Sequence, residues 1–335
     1  MLRFIVRRLL QLVLVVFVLS ILLFAWLRAL PGGVVSAMLG ERATPESRAA
    51  LTAELGLDDP LPVQYWRFLQ RALQGDFGVS TSVQPGRPSM EVFLERFPAT
   101  IELATGAMLI ALLLAIPLGY LAARRRGGVL DNLSVVGSLV GVAVPVFFLA
   151  FLLKYYFAIK LGWLPVSGRQ DVGDATRVTG FFVLDGILTR EWDASLDALK
   201  HLVLPSIALA SIPFAMIFRI TRASVLDVLD EDYVRTAQSK GLGSRVIRGR
   251  HVMRNALLPI VTAVGLQTGA LLGGAVLTET VFNFPGIGQA LSQSFSTRDF
   301  SVLQVIILAA AITYVLVNLV VDVLYAVIDP RVRTR

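Results

Sequence analysis

The chain has 335 residues, 55% hydrophobic and only 16% charged, with a mean hydropathy of +0.70. Soluble domains carry about 25% charge, so two or three soluble domains are excluded in favour of a helical membrane bundle, in which each crossing takes about 20 residues plus a loop. The net charge of +7 lies at the ends of apolar runs, as orienting loops do, so nucleic acid is not an expected partner; with no cysteine there is no disulfide or thiol chemistry.

Residues 1–30 form a basic tail and a first span. Arg3, Arg7 and Arg8 precede an apolar run, Leu9–Leu27, that is longer than a signal-peptide core and lacks a cleavage site after it, so a retained helix is expected over Leu9–Leu30. Residues 31–99 are too long for a turn. Within them, Thr44-Pro45-Glu46 reads as an N-cap, a first-turn proline and a first-turn acid, and Gln64–Leu73 has apolar residues at helical spacing. A five-span core then fills 100–328, with spans expected at Thr100–Ala123, Leu133–Ala158, His201–Phe218, Leu257–Phe282 and Val302–Ile328. The span at His201–Phe218 is short and carries Pro205 and Pro213, which places it inside the bundle, where neighbours satisfy freed carbonyls. Between spans, 159–200 reads as loop with short pieces of structure, 219–256 as a basic loop, and 329–335 as a tail.

Orientation follows from the short segments. Arg124, Arg125 and Arg126, then Arg219, Arg222, Arg235, Lys240, Arg245, Arg248, Arg250 and Arg254, then Arg331, Arg333 and Arg335 alternate along the chain on the same side as the N-terminal tail. The loop between the last two spans has only Arg298, so both termini are expected in the cytoplasm.

Several chemistries are missing. There is no Gly-Lys dipeptide and hence no P-loop, so the chain is expected to bind no cofactor. Only His201 and His251 are available, which sets aside both a His/Cys metal site and a serine-histidine triad, so neither a metal site nor a membrane-embedded hydrolase is expected. Glu102, Lys154, Glu279, Asp322 and Asp329 all fall near span ends, within snorkelling reach of the interface. A charge at the bilayer centre costs at least about 2.5–3.5 kcal/mol and usually marks an ion path. The lack of such charges disfavours a stand-alone secondary carrier.

The stretch 223–262 carries most of the argument. Val225, Leu229 and Tyr233 share one helical face, with Asp227, Asp230, Glu231 and Asp232 as polar partners. Tyr233–Lys240 reads as a short helix stopped by Gly241, and Ser244–Asn255 as a basic helix leading to Pro259 and the next span. Such a helix-glycine-helix suits docking into another protein or lying on anionic lipid. The glycine stop and mixed charge lean only slightly towards docking.

The same residues resemble a known family. Tyr233-Val234-Arg235-Thr236-Ala237, Lys240-Gly241-Leu242 and His251–Pro259 are similar to the "EAA" loop of the permeases of ABC importers, in the form found in the dipeptide/oligopeptide permease family. Arg7-Arg8-Leu9, Leu55-Gly56-Leu57-Asp58, Gly75-Asp76-Phe77-Gly78, Leu161–Gly168, Glu279-Thr280-Val281-Phe282, Pro285-Gly286-Ile287-Gly288 and Tyr325–Arg331 extend the resemblance in order along the chain. It departs where the usual Glu-Ala-Ala is here Arg235-Thr236-Ala237, and where Pro31-Gly32-Gly33-Val34 replaces a Pro-Gly-Asp-Pro.

The resemblance implies an all-α, multi-pass permease of type I importer architecture in a bacterial or archaeal inner membrane. It would be a non-catalytic half of a pore. A second homologous permease, two ABC ATPases that use ATP and magnesium, an extracytoplasmic solute-binding protein and a peptide substrate are the implied partners, besides membrane lipid. A same-architecture permease for a nickel chelate, glutathione or an oligosaccharide is the alternative. By this resemblance Tyr233, Thr236, Ala237, Lys240, Gly241 and Leu242 would contact the ATPase. Arg254 and Asn255, ahead of Pro259, would brace the loop or simply anchor at the interface. Gly265, Gly269 and Gly273 form a ridge for close helix approach, within the chain or against the partner permease. Glu279 is a candidate gate, peptide-amine ligand or salt-bridge partner. Phe147 and Phe148 would line the path or pack.

Overall fold

A computed structural model describes residues 2–29, 35, 39 and 44–328. The readings of Leu30–Val34, of the Arg3, Arg8 and Asp322 side chains, and of Asp329 and the basic tail lie outside the described residues. Regular structure among the described residues is helical, apart from one isolated bridge between Val79 and Pro88. Among the described residues, four helices are long and apolar enough to cross a membrane, and up to six spans result if each of two bent helix pairs counts as one. The chain divides into two compact units.

The first unit holds residues 1–100 and 285–316. Helix α1 (Leu2–Ala29) is the first span; α2 (Pro45–Leu55) and α3 (Leu61–Leu73) follow. Helix α2 starts as the sequence implies, with the Thr44 hydroxyl accepting from Ser47 N and Pro45 at the first turn, and ends at Gly56 in the left-handed region (φ 57°). Helix α3 packs on α1 through Phe24, Tyr65 and Phe68, with Ser20 Oγ 2.8 Å from the Tyr65 hydroxyl. Helix α4 (Ser89–Arg124) begins in this unit, joined by α11 (Ile287–Thr297) and the first part of α12 (Phe300–Ile328). Val83, Val92, Phe93, Ile287, Ala290, Val302, Val305 and Ile306 form an apolar cluster in it. Helix α11 lies in the expected loop between the last two spans; Gly286 caps it, and its first amide donates to the Thr100 hydroxyl.

The second unit holds residues 101–284 and 317–335. The expected span Leu133–Ala158 is two helices, α5 (Val129–Ala143) and α6 (Val146–Leu153), the latter continued by a π-helical turn, Lys154–Lys160. They meet at 103°. The cause is Pro145, whose ring pushes the preceding residue out of the helical region: Val144 is extended (φ −78°, ψ 122°). The 159–200 segment contains α7 (Phe182–Leu188) and the start of α8 (Trp192–Leu229).

Helix α8 is far longer than the expected span His201–Phe218 and passes unbroken through Pro205 and Pro213. Its apolar window is 67% buried, against 11% for α1 and 22% for α4, which accords with prolines held among neighbours. It packs against α5, α6, α7 and α10 (Arg254–Phe282). Helix α4 approaches it at two glycines: a Cβ on Gly106 would lie 2.7 Å from Ser206 Oγ, and one on Gly119 2.9 Å from Thr221 Cβ and 3.0 Å from the Phe218 carbonyl oxygen. Only glycine permits that approach.

Candidate functional site

The loop between α8 and α10 is a compact hairpin. Helix α8 ends at Leu229, and Asp230–Glu231 turn the chain into α9 (Asp232–Ser239). The single amphipathic face read through Val225, Leu229 and Tyr233 is therefore broken at Asp230. Helix α9 stops at Gly241 (φ 74°) with Leu242 N donating to Ala237 O (3.2 Å) and Gly241 N to Gln238 O (2.9 Å). That paired closure needs a left-handed residue after the helix, which glycine supplies without steric cost. Ser244–Val246, a π-helical stretch Ile247–Met253 and α10 then run on without a break.

Helix α9 packs against the π-helical stretch, which also touches α8 and α10. Val234, Ala237, Ile247 and Val252 are buried. Ala237, at 4% exposure, belongs to the hairpin's own packing. The opposite side is open: Tyr233 (41%), Thr236, Lys240, Gly241 and Leu242 (40%) are all exposed. Asn255 Nδ2 donates to the Tyr233 hydroxyl (3.0 Å) and the His251 carbonyl (2.8 Å), so it ties the start of α10 to α9. Arg254 and Pro259 are exposed.

An ion pair with no signature in the sequence links α8 to the start of α5. Arg222, on α8, donates through Nε and Nη2 to both oxygens of Asp131 at 2.6 and 2.8 Å, and the Gly127 amide caps the same carboxylate at 2.9 Å. A forked guanidinium-carboxylate pair fixes orientation as well as distance. It joins the Arg124–Arg126 turn, the start of α5 and the inner part of α8.

Polar side chains also organise the 159–200 segment. Glu102, on α4, accepts from Arg169 Nε (3.2 Å), Arg169 Nη2 (2.7 Å) and the Val183 amide (2.9 Å). Arg169 is buried, donates to the Gly180 carbonyl and lies 3.8 Å from the centre of the Phe182 ring. Burial pulls its guanidinium below the ordinary arginine value, and Glu102 works against that. Asp185 accepts from the Thr179 hydroxyl (2.6 Å) and from the amides of Thr179 (2.8 Å) and Gly180 (3.0 Å). Burial alone would raise its carboxyl; these donors outweigh it and hold the group below the ordinary aspartate value.

Lys154 Nζ donates to the Val281 carbonyl (2.7 Å), and the Gly168 amide to that of Phe282 (3.0 Å), so the Leu161–Gly168 and Glu279–Phe282 motifs meet. Glu279 is wholly buried. Glu279 is thus enclosed, and Glu102 and Lys154 are held by partners within the chain. Of the remaining candidates, Gly265 and Gly269 are buried, Gly273 is exposed with open space around it, and Phe147 and Phe148 are exposed on the surface of this chain. Asp131, Arg169 and Asp185 carry no local motif. Their partners are distant or ordinary in sequence, and the only available signal was a lone charge beside a span.

Residues 115–334 match the family described as binding-protein-dependent transport system inner membrane component, and residues 1–104 match that family's N-terminal region. The chain belongs to this family. It is 43% identical to the dipeptide transport system permease protein DppB of Alkalihalophilus pseudofirmus, covering 99% of this chain and 100% of the relative. It is 45% identical to the di/tripeptide transport system permease protein DppB of Pseudomonas aeruginosa, covering 99% of each. The glutathione transport system permease protein GsiC of Salmonella paratyphi A is 37% identical, again over 99% of each chain. Among solved structures, an inward-facing MetNI methionine ABC transporter matches with a TM-score of 0.53 at 14% identity over 72% of this chain and 97% of that chain, which shows a shared fold.

Proposed function

We propose that this chain is one permease subunit of an ATP-driven importer of di- or oligopeptides. Full-length identity of 43–45% to dipeptide and di/tripeptide permeases carries the substrate class. A second permease completes the pore, two ABC ATPases supply ATP and magnesium chemistry on the cytoplasmic side, and an extracytoplasmic binding protein delivers the peptide. This chain binds no nucleotide itself.

The exposed side of the α9 hairpin is the ATPase contact in this reading, led by Tyr233, Thr236, Lys240, Gly241 and Leu242. What supports it is mechanical. The hairpin is the direct covalent link between α8 and α10, which pack along each other. Its buried side and the Tyr233–Asn255 bond keep it from folding independently of them. Closure of the ATPases on the hairpin therefore moves both helices as a body, the kind of rigid rotation that alternates access to a pore.

The test is purification of the tagged chain from its native membrane in mild detergent, mass spectrometry of its partners, and dipeptide uptake by the reconstituted complex. A second permease with P-loop ATPases and ATP-dependent dipeptide uptake is the expected result. Recovery of the chain alone, active without ATP, removes the reading. A preference for glutathione over simple dipeptides would move the substrate class to that of the 37% identical relative.

A further inference from the structure

We propose that Asp171, Asp197 and His201 form a divalent transition-metal site at the outer end of α8, with a donor set suited to zinc. The sequence offered two histidines and no cysteine, and the spacing of a His/Cys site was absent. The fold assembles a different set: one histidine and two carboxylates, with one donor atom from each within 4.8 Å of the others.

The surroundings of the two His201 ring nitrogens are the key observation. Its side chain is 1% exposed. Nδ1 lies 2.9 Å from the carbonyl oxygen of Asp197, one turn earlier on α8. A carbonyl only accepts, so Nδ1 carries the proton and Nε2 of the neutral ring is a bare lone pair. That nitrogen is buried and has no hydrogen-bond partner. Facing it is Oδ1 of Asp171, 3.6 Å away. Two acceptors opposed across that gap repel each other, and a cation between them turns both into ligands.

The surroundings are prepared in the way metal sites are. A ligating histidine characteristically donates its other N–H to a carbonyl or carboxylate, which fixes the ring and raises its basicity. Asp197 Oδ2 accepts from the amides of Asp171 (2.6 Å) and Val172 (3.3 Å), so one acid positions the loop that carries the other. Its Oδ1 lies 3.6 Å from Nδ1 of His201, the ring nitrogen that carries the proton. Tetrahedral ligands about 2.1 Å from zinc lie about 3.4 Å apart, so the His201–Asp171 separation already fits. The Asp171 side chain, 83% exposed, has room to close the remainder. Magnesium and calcium favour all-oxygen shells, whereas imidazole with carboxylates suits zinc and its neighbours, leaving a fourth position for water. Bound metal would pin the 169–172 loop to α8.

Equilibrium dialysis of the purified full-length chain in mild detergent, stripped with a chelator and returned to micromolar zinc chloride, tests this. Wild type should hold one more zinc per chain than Asp171→Asn or His201→Gln, with affinity at least about tenfold weaker in either variant. Zinc should also raise the thermal midpoint of wild type and not that of Asp171→Asn. Asp171→Asn is the decisive variant, because its exposed side chain leaves the fold intact and its amide still reaches Asp197. Equal zinc binding by wild type and Asp171→Asn, or none by wild type, overturns the site.

Discussion

Asp299 shows how far a single side chain reaches in this protein. Its Oδ2 accepts from the Ser80 hydroxyl (2.6 Å) and the amides of Thr81, Ser82 and Val83 (3.0, 3.0 and 3.1 Å), while its backbone carbonyl accepts from Leu303 at the start of α12. Hydrogen bonds to a charged group contribute about 1.5–3 kcal/mol each, and losing a buried acceptor strands its donors. Asp299→Ala should therefore destabilise the first unit by about 3 kcal/mol, seen as faster amide exchange over 77–93 with little change around α8. Asp185 gives a pH prediction. Its carboxyl is held below the ordinary value, so the stability it adds is fully present above the unfolded pKa of about 3.9 and is lost as pH falls through the lower folded value. The stability difference between wild type and Asp185→Asn should be flat from neutral pH down to about 4 and shrink below that, as read by thermal unfolding at each pH. None of these roles was legible in the sequence, because a charge in a loop does not announce a partner 219 residues away. Two helix boundaries were legible: Thr44 starts α2 and Gly241 stops α9, each through its own local geometry.

At the scale of helices, hydropathy located each span but not its shape. Leu133–Ala158 reads as one apolar run, yet Pro145 divides it, whereas Pro205 and Pro213 leave α8 whole. The difference lies in what surrounds each proline, and a one-dimensional profile does not contain that. The contact between α4 and α8 is set by Gly106 and Gly119, neither of which was singled out from sequence. Gly119→Leu should force these helices apart and lower the yield of folded protein in detergent, whereas Gly137→Ala, with open space around it, should be tolerated; size-exclusion profiles compare them. At Gly241 a new side chain meets no neighbour, so Gly241→Val costs only the backbone strain of φ 74°, about 1–2 kcal/mol, spent locally at the hairpin. Peptide uptake should fall at unchanged membrane abundance; normal uptake at normal abundance removes the hairpin from the coupling step.

For the whole protein, the architecture and family were legible because membrane helices leave a strong compositional trace and the hairpin carries an ordered motif. The polar braces were not, because their partners lie far apart in the chain. Arg222→Met should leave Asp131 buried without its guanidinium, a change that typically costs about 3–5 kcal/mol. Asp131→Asn/Arg222→Gln should recover part of that loss, as a double-mutant comparison of thermal midpoints would show.

Helix α8 has a geometric consequence. Its 38 residues make a rod about 57 Å long at 1.5 Å per residue. His201 rides near one end and Arg222 near the other. A rod of that length is a lever: a tilt of only about 10° displaces one end by about 10 Å relative to the other. Whatever grips the outer end sets the fulcrum for whatever pushes the inner one, so events on opposite faces of the membrane are joined by leverage and need no relay of side chains between them.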